Sequence, residues 1–211
     1  LRIGTLRHVL VRTSEVTGQI MVVIVTGTPI FPGSKNFVTA LRKQCPEITT
    51  VIQNINPQKT SMILGERDKV LYGKGYIEDE LLGLTFRLSP ASFYQVNAKM
   101  TEKLYETALS FANLTANDTV LDAYCGVGTI GMAASRSAGQ VIGVELNKAA
   151  VRDAIANAKR NGIENIRFFA DDASDFLLRV AESGEKLDAV IMDPPRSGST
   201  ERFLQSACKV K

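Results

Sequence analysis

The chain has 211 residues, 45% of them hydrophobic and 22% charged, which excludes a disordered chain and suits one large or two small domains with a buried core. No apolar run approaches the roughly 20 residues of a membrane helix, and the N-terminal LRIGTLRHVL lacks the apolar stretch of a signal peptide, so we expect a cytoplasmic protein without membrane contact. A net charge of +3 and a pI of 8.8 are compatible with a polyanionic partner but do not establish one.

Cysteine and histidine usage argues against two common kinds of site. Cys45, Cys125 and Cys208 lie far apart without CxxC spacing, so we predict reduced thiols and no disulfide framework or zinc site. A Ser-His-Asp triad or a histidine-ligated metal would have to rest on His8, the only histidine, which the pattern predicts as a strand or surface residue. We therefore expect no metal in this chain.

Residues 1–88 are predicted to form a small α+β domain of strands joined by turns. The predicted strands are HVLVRTS, GQIMVVIVT, ITTVIQNIN, KVLYG and GLTFRLS. One helix is predicted over residues 34–44, with Ser34 as its N-cap. Its apolar face consists of Phe37, Val38 and Leu41.

Residues 89–211 alternate between helical and strand patterns. The predicted order is a helix over 95–113, strand TVLDA, a glycine loop, a helix from Thr129, strand QVIGVE, a helix over 148–160, strand NIRFFA, a helix over 173–181, strand LDAVIMD, the loop PPRSGS and a final helix. Helices of this length between strands imply right-handed crossovers and a parallel sheet. We predict the front half of a Rossmann-like α/β sandwich, C-terminally incomplete, with its ligand at the carboxyl ends of the strands.

Acidic residues stand where the first two strands of this sheet end. Asp122 closes the first strand and precedes a GxGxxG pattern, where missing side chains let the backbone approach a ligand. The glycines of the pattern are Gly126, Gly128 and Gly131. Glu145 closes the second strand, about 20 residues further on, where an acid can accept hydrogen bonds from both hydroxyls of a ribose.

The next two strands end in the same way. Asp171 and Asp172 follow the third strand, where one carboxylate can accept a hydrogen bond from an adenine amino group. Asp193 closes the fourth strand, and the prolines of the sequence DPPR that it begins fix the loop leaving that strand. Four acids at four successive strand ends predict a nucleoside pocket.

The charge of the pocket favours S-adenosylmethionine over a dinucleotide. An acid directly before the glycine loop would repel a pyrophosphate, whereas S-adenosylmethionine carries a sulfonium, an ammonium and no phosphate. Each acid also has a structural interpretation, with Asp122 as a helix cap, Glu145 as a surface acid and Asp171 with Asp172 as a capping turn. Their joint placement favours the cofactor.

The cysteines and the basic helix face receive structural interpretations. Cys125 lies inside the glycine loop and is predicted to be a buried thiol that packs beside the cofactor, not a nucleophile. Cys45 and Cys208 are also predicted to pack. The helix face interpreted as solvated carries Lys148, Arg152, Lys159 and Arg160.

These motifs resemble the RNA (uracil-5-)-methyltransferase family, and within it the bacterial 23S rRNA branch. The similar segments are LRHVLVRTSEVTGQIMVVIVT, FRLSPASFYQVN, LDAYCGVGTIG, VIGVELNKAAVRDAIANAKRNGI and VIMDPPRSGS. DPPR, in place of the DPPY or NPPY of amino-group methyltransferases, makes the resemblance specific. It implies that S-adenosylmethionine is bound by Gln95, Tyr124, Glu145 and Asp193, with Thr129 and Asp172 as further candidates. Asp193 would lie nearest the target base.

The resemblance also implies methylation of uridine C5 in RNA, with 23S rRNA as the substrate. In the family a cysteine thiolate adds to C6 of uracil, C5 takes the methyl group, and a general base removes the C5 proton. That cysteine, in an SCNP-like motif, and the glutamate that acts as the general base are expected beyond Lys211, so no catalytic residue is assigned here. The family's N-terminal RNA-binding domain and iron–sulfur cysteines are also expected outside this sequence, which is interpreted as an inactive part of a longer protein.

Two other functions stay open at this point. An RNA cytosine-C5 methyltransferase would use the same cofactor and a cysteine nucleophile. A noncatalytic module that binds S-adenosylmethionine or RNA would need only the residues present here.

Overall fold

The first part of the chain forms a four-stranded sheet in the order β1-β2-β3-β4. The computed structural model describes residues 4–59, 61–95 and 97–210. The strands are β1 (Leu6–Thr13), β2 (Ile20–Thr26), β3 (Ile48–Ile55) and β4 (Arg67–Tyr72), and helix α1 (Ser34–Gln44) lies between β2 and β3 in the chain. β2 and β3 are parallel because the connection through α1 is a crossover, whereas β1 and β4 pair antiparallel with their neighbours. The predicted small α+β architecture is confirmed.

Helix α1 covers one face of this sheet. Val38 is buried against a cluster of strand residues, and Phe37 and Leu41 pack beside it, as the predicted apolar face requires. The buried strand residues of the cluster are Val22, Ile24, Ile48 and Val51. The prediction that Ser34 is the N-cap is wrong, because Gly33 occupies that position in the left-handed conformation and no side chain caps the helix. His8 is an exposed residue of β1, as predicted.

A two-stranded sheet follows, formed by β5 (Ile77–Leu81) and β6 (Leu84–Leu88). Leu82 and Gly83 join the strands with φ values of 51° and 66°, as a tight two-residue hairpin turn requires. Strand β5, whose central residues are all acidic, was not among the predicted strands. Asp79 is nevertheless buried at 7% exposure, and its Oδ1 accepts a hydrogen bond of 2.7 Å from the Ser14 hydroxyl.

The described residues divide into two compact units. The first contains the residues up to Glu80 together with Arg87–Ala91, and the second contains Leu81–Phe86 and the residues from Ser92 onward. The sequence-based boundary between residues 88 and 89 stays a prediction.

The second unit is built on a parallel sheet in the order β10-β7-β8-β9. Its strands are β7 (Thr119–Ala123), β8 (Gln140–Glu145), β9 (Ile166–Ala170) and β10 (Ala189–Met192). The helices are α2 (Ala98–Ala112), α3 (Thr129–Ala134), α4 (Lys148–Arg160), α5 (Ala173–Ser183) and α6 (Glu201–Ala207). This order confirms the predicted Rossmann-like α/β fold.

Helix α2 begins later than predicted. Asn97 caps it by accepting a hydrogen bond of 3.1 Å from the Met100 N–H, so the helix starts after residue 97 rather than at Gln95. Val96, which the predicted helix included, lies outside the described residues. At the other end Asn113 takes the left-handed conformation with φ 47° and ends the helix where the sequence predicted.

One core of the second unit lies between the sheet and helices α5 and α6. Phe203 of α6 and Leu177 of α5 are fully buried there against Leu121 of β7 and Val144 of β8. These contacts fix the carboxyl ends of β7 and β8 against rigid helices. Within the described ranges, no helix is long and apolar enough to cross a membrane.

Candidate functional site

The strand order creates a crevice beside the carboxyl end of β7. The chain runs from β7 outward to β8 and β9, then returns to place β10 on the opposite side of β7. At such a switch point the loops after the two central strands separate, and ligands of open α/β sheets bind between them. Here those loops begin at Tyr124 and Asp193, which both line one small pocket.

This pocket brings together four of the six residues that were predicted to bind cofactor. Gln95, Tyr124, Thr129 and Asp193 line it, together with Phe93, Tyr105, Asp122 and Gly126. Its volume is about 40 Å³, room for about one water molecule. A nucleoside therefore needs rim side chains to move outward, and Phe93, which is 69% exposed, is free of the packing that would prevent this.

Asp122 is buried beneath the pocket. Its side chain is 1% exposed, and its Oδ2 accepts a hydrogen bond of 2.8 Å from the Gly131 N–H in the first turn of α3. The pKa of Asp122 is raised to about 8, mainly by burial and to a smaller extent by Asp193 and Glu145, while the hydrogen bond from Gly131 lowers it. The interpretation of Asp122 as a helix N-cap is wrong, because Gly128 occupies that position, although the Asp122 carboxylate accepts from an N–H of the first turn of α3. Strand β7 continues one residue beyond Asp122 to Ala123.

The three positions of the loop pattern are glycine for different physical reasons. A Cβ on Gly131 would lie 2.6 Å from Asp122 Oδ2, and one on Gly128 would lie 2.7 Å from Met132 Cε. Both glycines therefore serve internal packing. Gly126 has φ +56° and no heavy atom within 4 Å of an added Cβ, so its backbone faces open space. Of the three, Gly126 is the glycine that a ligand can approach as the sequence analysis supposed.

Tyr124 connects β7 to the glycine loop in a conformation that is rare for its residue type. Its φ is +64°, in the left-handed region, which costs a side-chain-bearing residue about 1–2 kcal/mol. Its ring lies 5.7 Å from that of Phe203, centroid to centroid, at 41°. Packing against the buried Phe203 therefore stabilises a backbone that turns the half-buried Tyr124 ring toward the pocket.

Glu145 ends β8 as predicted and borders the glycine loop. Its Oε2 accepts a hydrogen bond of 3.1 Å from the Gly126 N–H, and its Oε1 accepts one of 2.7 Å from the Asn147 N–H. Two backbone donors hold the carboxylate in one orientation. Each oxygen keeps a further lone pair that could accept a ribose hydroxyl.

Gln95 and Asp193 meet across the mouth of the pocket. The Gln95 Nε2 donates to Asp193 Oδ2 at 3.4 Å, a long hydrogen bond between residues 98 positions apart in the chain. Asp193 is exposed, so its carboxylate is available to a ligand. Sequence reasoning predicted both residues but not their contact.

Thr129 has a partner that sequence reasoning missed. Its Oγ1 lies 2.9 Å from the hydroxyl oxygen of Tyr105, which is only 7% exposed and also lines the pocket. Burial raises the pKa of Tyr105, and the bond to Thr129 lowers it. The spacing of Thr101 and Tyr105 on the buried face of α2 was the available signal.

Asp172 lies apart from the small pocket. It caps α5, since its Oδ1 accepts from the N–H groups of Ser174 at 2.8 Å and Asp175 at 3.1 Å. Asp171 forms an ion pair with Arg179 and accepts from the Asp172 N–H. The capping-turn interpretation is therefore realised at both residues, and a role of Asp172 toward adenine would use its other oxygen, Oδ2.

The cysteines differ from one another in burial. Cys125 is 6% exposed, and burial is the largest cause that raises the pKa of its thiol, followed by Asp122 and Glu145. This confirms its interpretation as a packed thiol. Cys45 packs against the core beside α1, also as predicted. The prediction that Cys208 packs is wrong, because α6 ends at Ala207 and leaves Cys208 exposed.

Two other surfaces of the second unit contain none of the predicted site residues. A groove of about 680 Å³ lies along α4 and β9, lined by residues that include Ile155, Lys159 and Phe169. It is larger than the small pocket, but it has neither an acid from a strand end nor the glycine loop. The basic face of α4 is exposed, as predicted for a solvated helix face. Among residues 4–59, 61–95 and 97–210, no group of His, Cys, Asp and Glu side chains could hold a metal ion.

The fold and the strand-end site define a class, the Rossmann-like methyltransferases. The family model described as tRNA (uracil-5-)-methyltransferase matches residues 16–207. The chain therefore belongs to this family, which confirms the family resemblance of the sequence.

Similar proteins agree with this membership. An uncharacterized RNA methyltransferase of Halalkalibacterium halodurans is 41% identical over 99% of this chain and 45% of its own length. Another, from Lactiplantibacillus plantarum, is 45% identical over 97% of this chain and 45% of its own length. The chain thus spans a little under half the length of these curated relatives.

Solved structures show the same fold. The Pyrococcus abyssi tRNA (uracil-54, C5)-methyltransferase in complex with S-adenosyl-L-homocysteine is similar with a TM-score of 0.77 and 25% identity, covering 98% of this chain and 48% of that one. Pyrococcus abyssi Trm5b is similar with a TM-score of 0.55 and 19% identity, over 90% of this chain and 54% of that one.

Proposed function

We propose that this chain binds S-adenosylmethionine and takes part in methylating C5 of uridine in RNA, with 23S rRNA as the substrate and the cytoplasm as its location. The observation that carries the proposal is the crevice at the β7–β10 switch point, in a chain that belongs to the tRNA (uracil-5-)-methyltransferase family. The relatives named as RNA methyltransferases and the S-adenosyl-L-homocysteine complex of the similar Pyrococcus abyssi enzyme support it.

The residues of the crevice fit this cofactor. Glu145 accepts a hydrogen bond from the N–H of Gly126, whose backbone faces open space, and Asp193 lines the pocket together with Gly126. When bound, S-adenosylmethionine supplies a methyl group on a positively charged sulfur. Carboxylates attract such a cation, and the same groups would repel a pyrophosphate.

We propose separate roles for the site residues. Glu145 accepts hydrogen bonds from the ribose hydroxyls, while Tyr124 provides an apolar wall for the nucleoside. Gln95 and Asp193 face the methionine part, with Asp193 nearest the target base, and Thr129 lines the floor through its bond to Tyr105. Asp172 is a further candidate for the adenine amino group. These roles assume that the rim opens beyond the present pocket.

The covalent nucleophile of uridine C5 methylation is assigned to none of the three cysteines. Cys125 is buried with a raised pKa, which disfavours the thiolate that must attack C6. Cys45 packs against the core of the first unit, and Cys208 is exposed at the end of α6, outside the SCNP-like motif of the family nucleophile. We propose that the nucleophile and the general base lie in the remaining length that the relatives have.

Methyl transfer by the complete protein tests the proposal. The enzyme is incubated with S-adenosylmethionine carrying an isotope-labelled methyl group and with unmodified 23S rRNA or tRNA transcripts, and the RNA is digested to nucleosides. Labelled 5-methyluridine from 23S rRNA is expected. If labelled 5-methyluridine forms only in tRNA, the substrate is tRNA and not 23S rRNA. If labelled 5-methylcytidine forms, the target base is cytosine and not uracil. Cofactor binding without transfer to either RNA would favour a noncatalytic module.

A further inference from the structure

The loop between β10 and α6 carries an arginine, Arg196, three residues after Asp193 of the candidate site. After Asp193 the chain passes through Pro194 and Pro195, whose rings fix φ. The Gly198 N–H then donates to the Pro195 carbonyl at 2.7 Å and closes a turn with Arg196 at its second position. The backbone of Arg196 is thereby held three residues from Asp193.

Arg196 differs in its ion pairing from other arginines of the second unit. Asp193 is exposed at the start of the loop. Arg179 pairs with Asp171, and Arg202 pairs with Asp175 at 2.7 Å. Arg196 is exposed, and within the ranges that the structure describes it has no ion pair. Its guanidinium is therefore available to an anion from outside.

An RNA substrate brings such an anion to this position. A nucleotide whose base enters the crevice carries phosphates on both sides, and the exposed carboxylate of Asp193 repels them. A guanidinium matches the two free oxygens of a phosphodiester with parallel hydrogen bonds. Because the two prolines and the turn already restrict the backbone, little backbone entropy is lost on binding.

We propose that Arg196 binds a backbone phosphodiester of the RNA next to the target nucleotide. This assignment rests on the proposed function, in that it requires RNA as the substrate. It adds to that function a residue that positions the polynucleotide and leaves the cofactor untouched. From the sequence, the DPPR motif indicated a fixed loop and the family, and no role was predicted for Arg196.

The test compares Arg196→Gln with the matched control Arg202→Gln in the complete protein. The probe is a fluorescent single-stranded RNA of about ten nucleotides containing one uridine, titrated at several salt concentrations. Arg196→Gln should weaken binding about tenfold and reduce the slope of log K against log salt by about 0.7, the value for one phosphate contact on a single strand. Arg202→Gln should change neither, since its charge is already matched by Asp175.

Two further measurements keep this result specific. Arg196→Lys should retain most of the salt slope, because the charge remains, and Arg196→Gln should bind S-adenosylmethionine as the parent does. An unchanged salt slope in Arg196→Gln, or a loss confined to cofactor binding, overturns the assignment. A parent protein that methylates no uridine but shows the Arg196-dependent slope would overturn the proposed reaction and leave the phosphate contact standing.

Discussion

The Asp122 carboxylate accepts a hydrogen bond of 2.8 Å from the Gly131 N–H, which joins β7 to the first turn of α3 beneath the pocket. Both groups are buried, so the bond substitutes for the water that each would otherwise have. Burial raises the pKa of Asp122 to about 8, so at pH 7 the side chain is mostly neutral despite this donor. The same acid therefore affects the stability of the fold and the charge below the site.

Replacement of Asp122 by Asn should flatten the pH dependence of stability. The unfolded chain releases the Asp122 proton near 3.8, whereas the folded protein keeps it until about pH 8. Between these values the folded state binds more protons, so stability falls as pH rises through this window and is lowest above it. The Asn variant retains an acceptor for Gly131 and should gain on the order of a few kcal/mol over the parent at high pH.

Urea unfolding at a series of pH values from 4 to 9 measures this effect, with roughly equal stabilities expected near pH 4. Parallel curves for parent and Asn variant across the whole range would show that Asp122 ionises normally.

Gly131→Ala should destabilise the protein although it lies in a helix. Ala normally stabilises a helix by about 1 kcal/mol over Gly. Here the new Cβ would lie 2.6 Å from Asp122 Oδ2, so either the carboxylate or α3 must shift, at a cost of about 1–3 kcal/mol. Denaturant unfolding gives the change directly. In an Asp122→Ala background the same substitution should cost less, and equal costs in both backgrounds would contradict this explanation.

Most of the fold could be predicted because local patterns and long-range packing agree. The helix predicted over residues 148–160 has these bounds in the structure, because Asn147 caps it and an apolar stripe of alanines follows. β5 could not be predicted, because its acidic centre is held by long-range hydrogen bonds, such as the one from Ser14 to Asp79, 65 residues away. Likewise, the first turn of α1 carries Ser34, but the chain enters through Gly33 in a conformation that no local pattern indicated.

The site could be predicted to a similar extent, and for a related reason. Parallel strands bring their carboxyl ends to one edge, so Glu145 and Asp193 were predictable from strand ends alone. The spacing of Thr101 and Tyr105 on α2 could have indicated that Tyr105 is buried, but nothing in the sequence indicated that its hydroxyl meets Thr129. The role of Asp172 as a helix cap was one of two interpretations that only the geometry could compare.

Glu145→Ala should weaken S-adenosylmethionine binding by about 1–3 kcal/mol, the scale for losing hydrogen bonds to a charged group. The variant also removes the acceptor that orients the Gly126 N–H. Glu145→Gln keeps one side-chain oxygen and should lose less. Calorimetric titration measures the dissociation constants, with the exposed Glu185→Ala as a control for loss of charge. An unchanged constant in Glu145→Ala would argue against the ribose role.

Ser199→Ala should be neutral or stabilise the protein by up to about 1 kcal/mol. The Ser199 Oγ is buried, and in the described part of the chain it has no hydrogen-bond partner, so the hydroxyl contributes only its desolvation cost. Ser174→Ala provides the contrast, because its Oγ lies 2.9 Å from Thr200 Oγ1 and should cost about 1 kcal/mol when removed. In thermal unfolding, the melting temperature of Ser174→Ala should therefore fall below that of the parent. The melting temperature of Ser199→Ala should stay the same or rise.

Thiol reactivity should separate the three cysteines in the native protein. Cys208 is exposed and should react first with a disulfide reagent at pH 8, whereas Cys125 should react only on unfolding, because it is buried and its raised pKa suppresses the thiolate. Cys45, half-buried against the core beside α1, should react at an intermediate rate. Cys208→Ser should remove the fast phase. If Cys125 instead supplied the fast phase, its thiol would be open to solvent and activated, and the argument that excludes it as the nucleophile would fail.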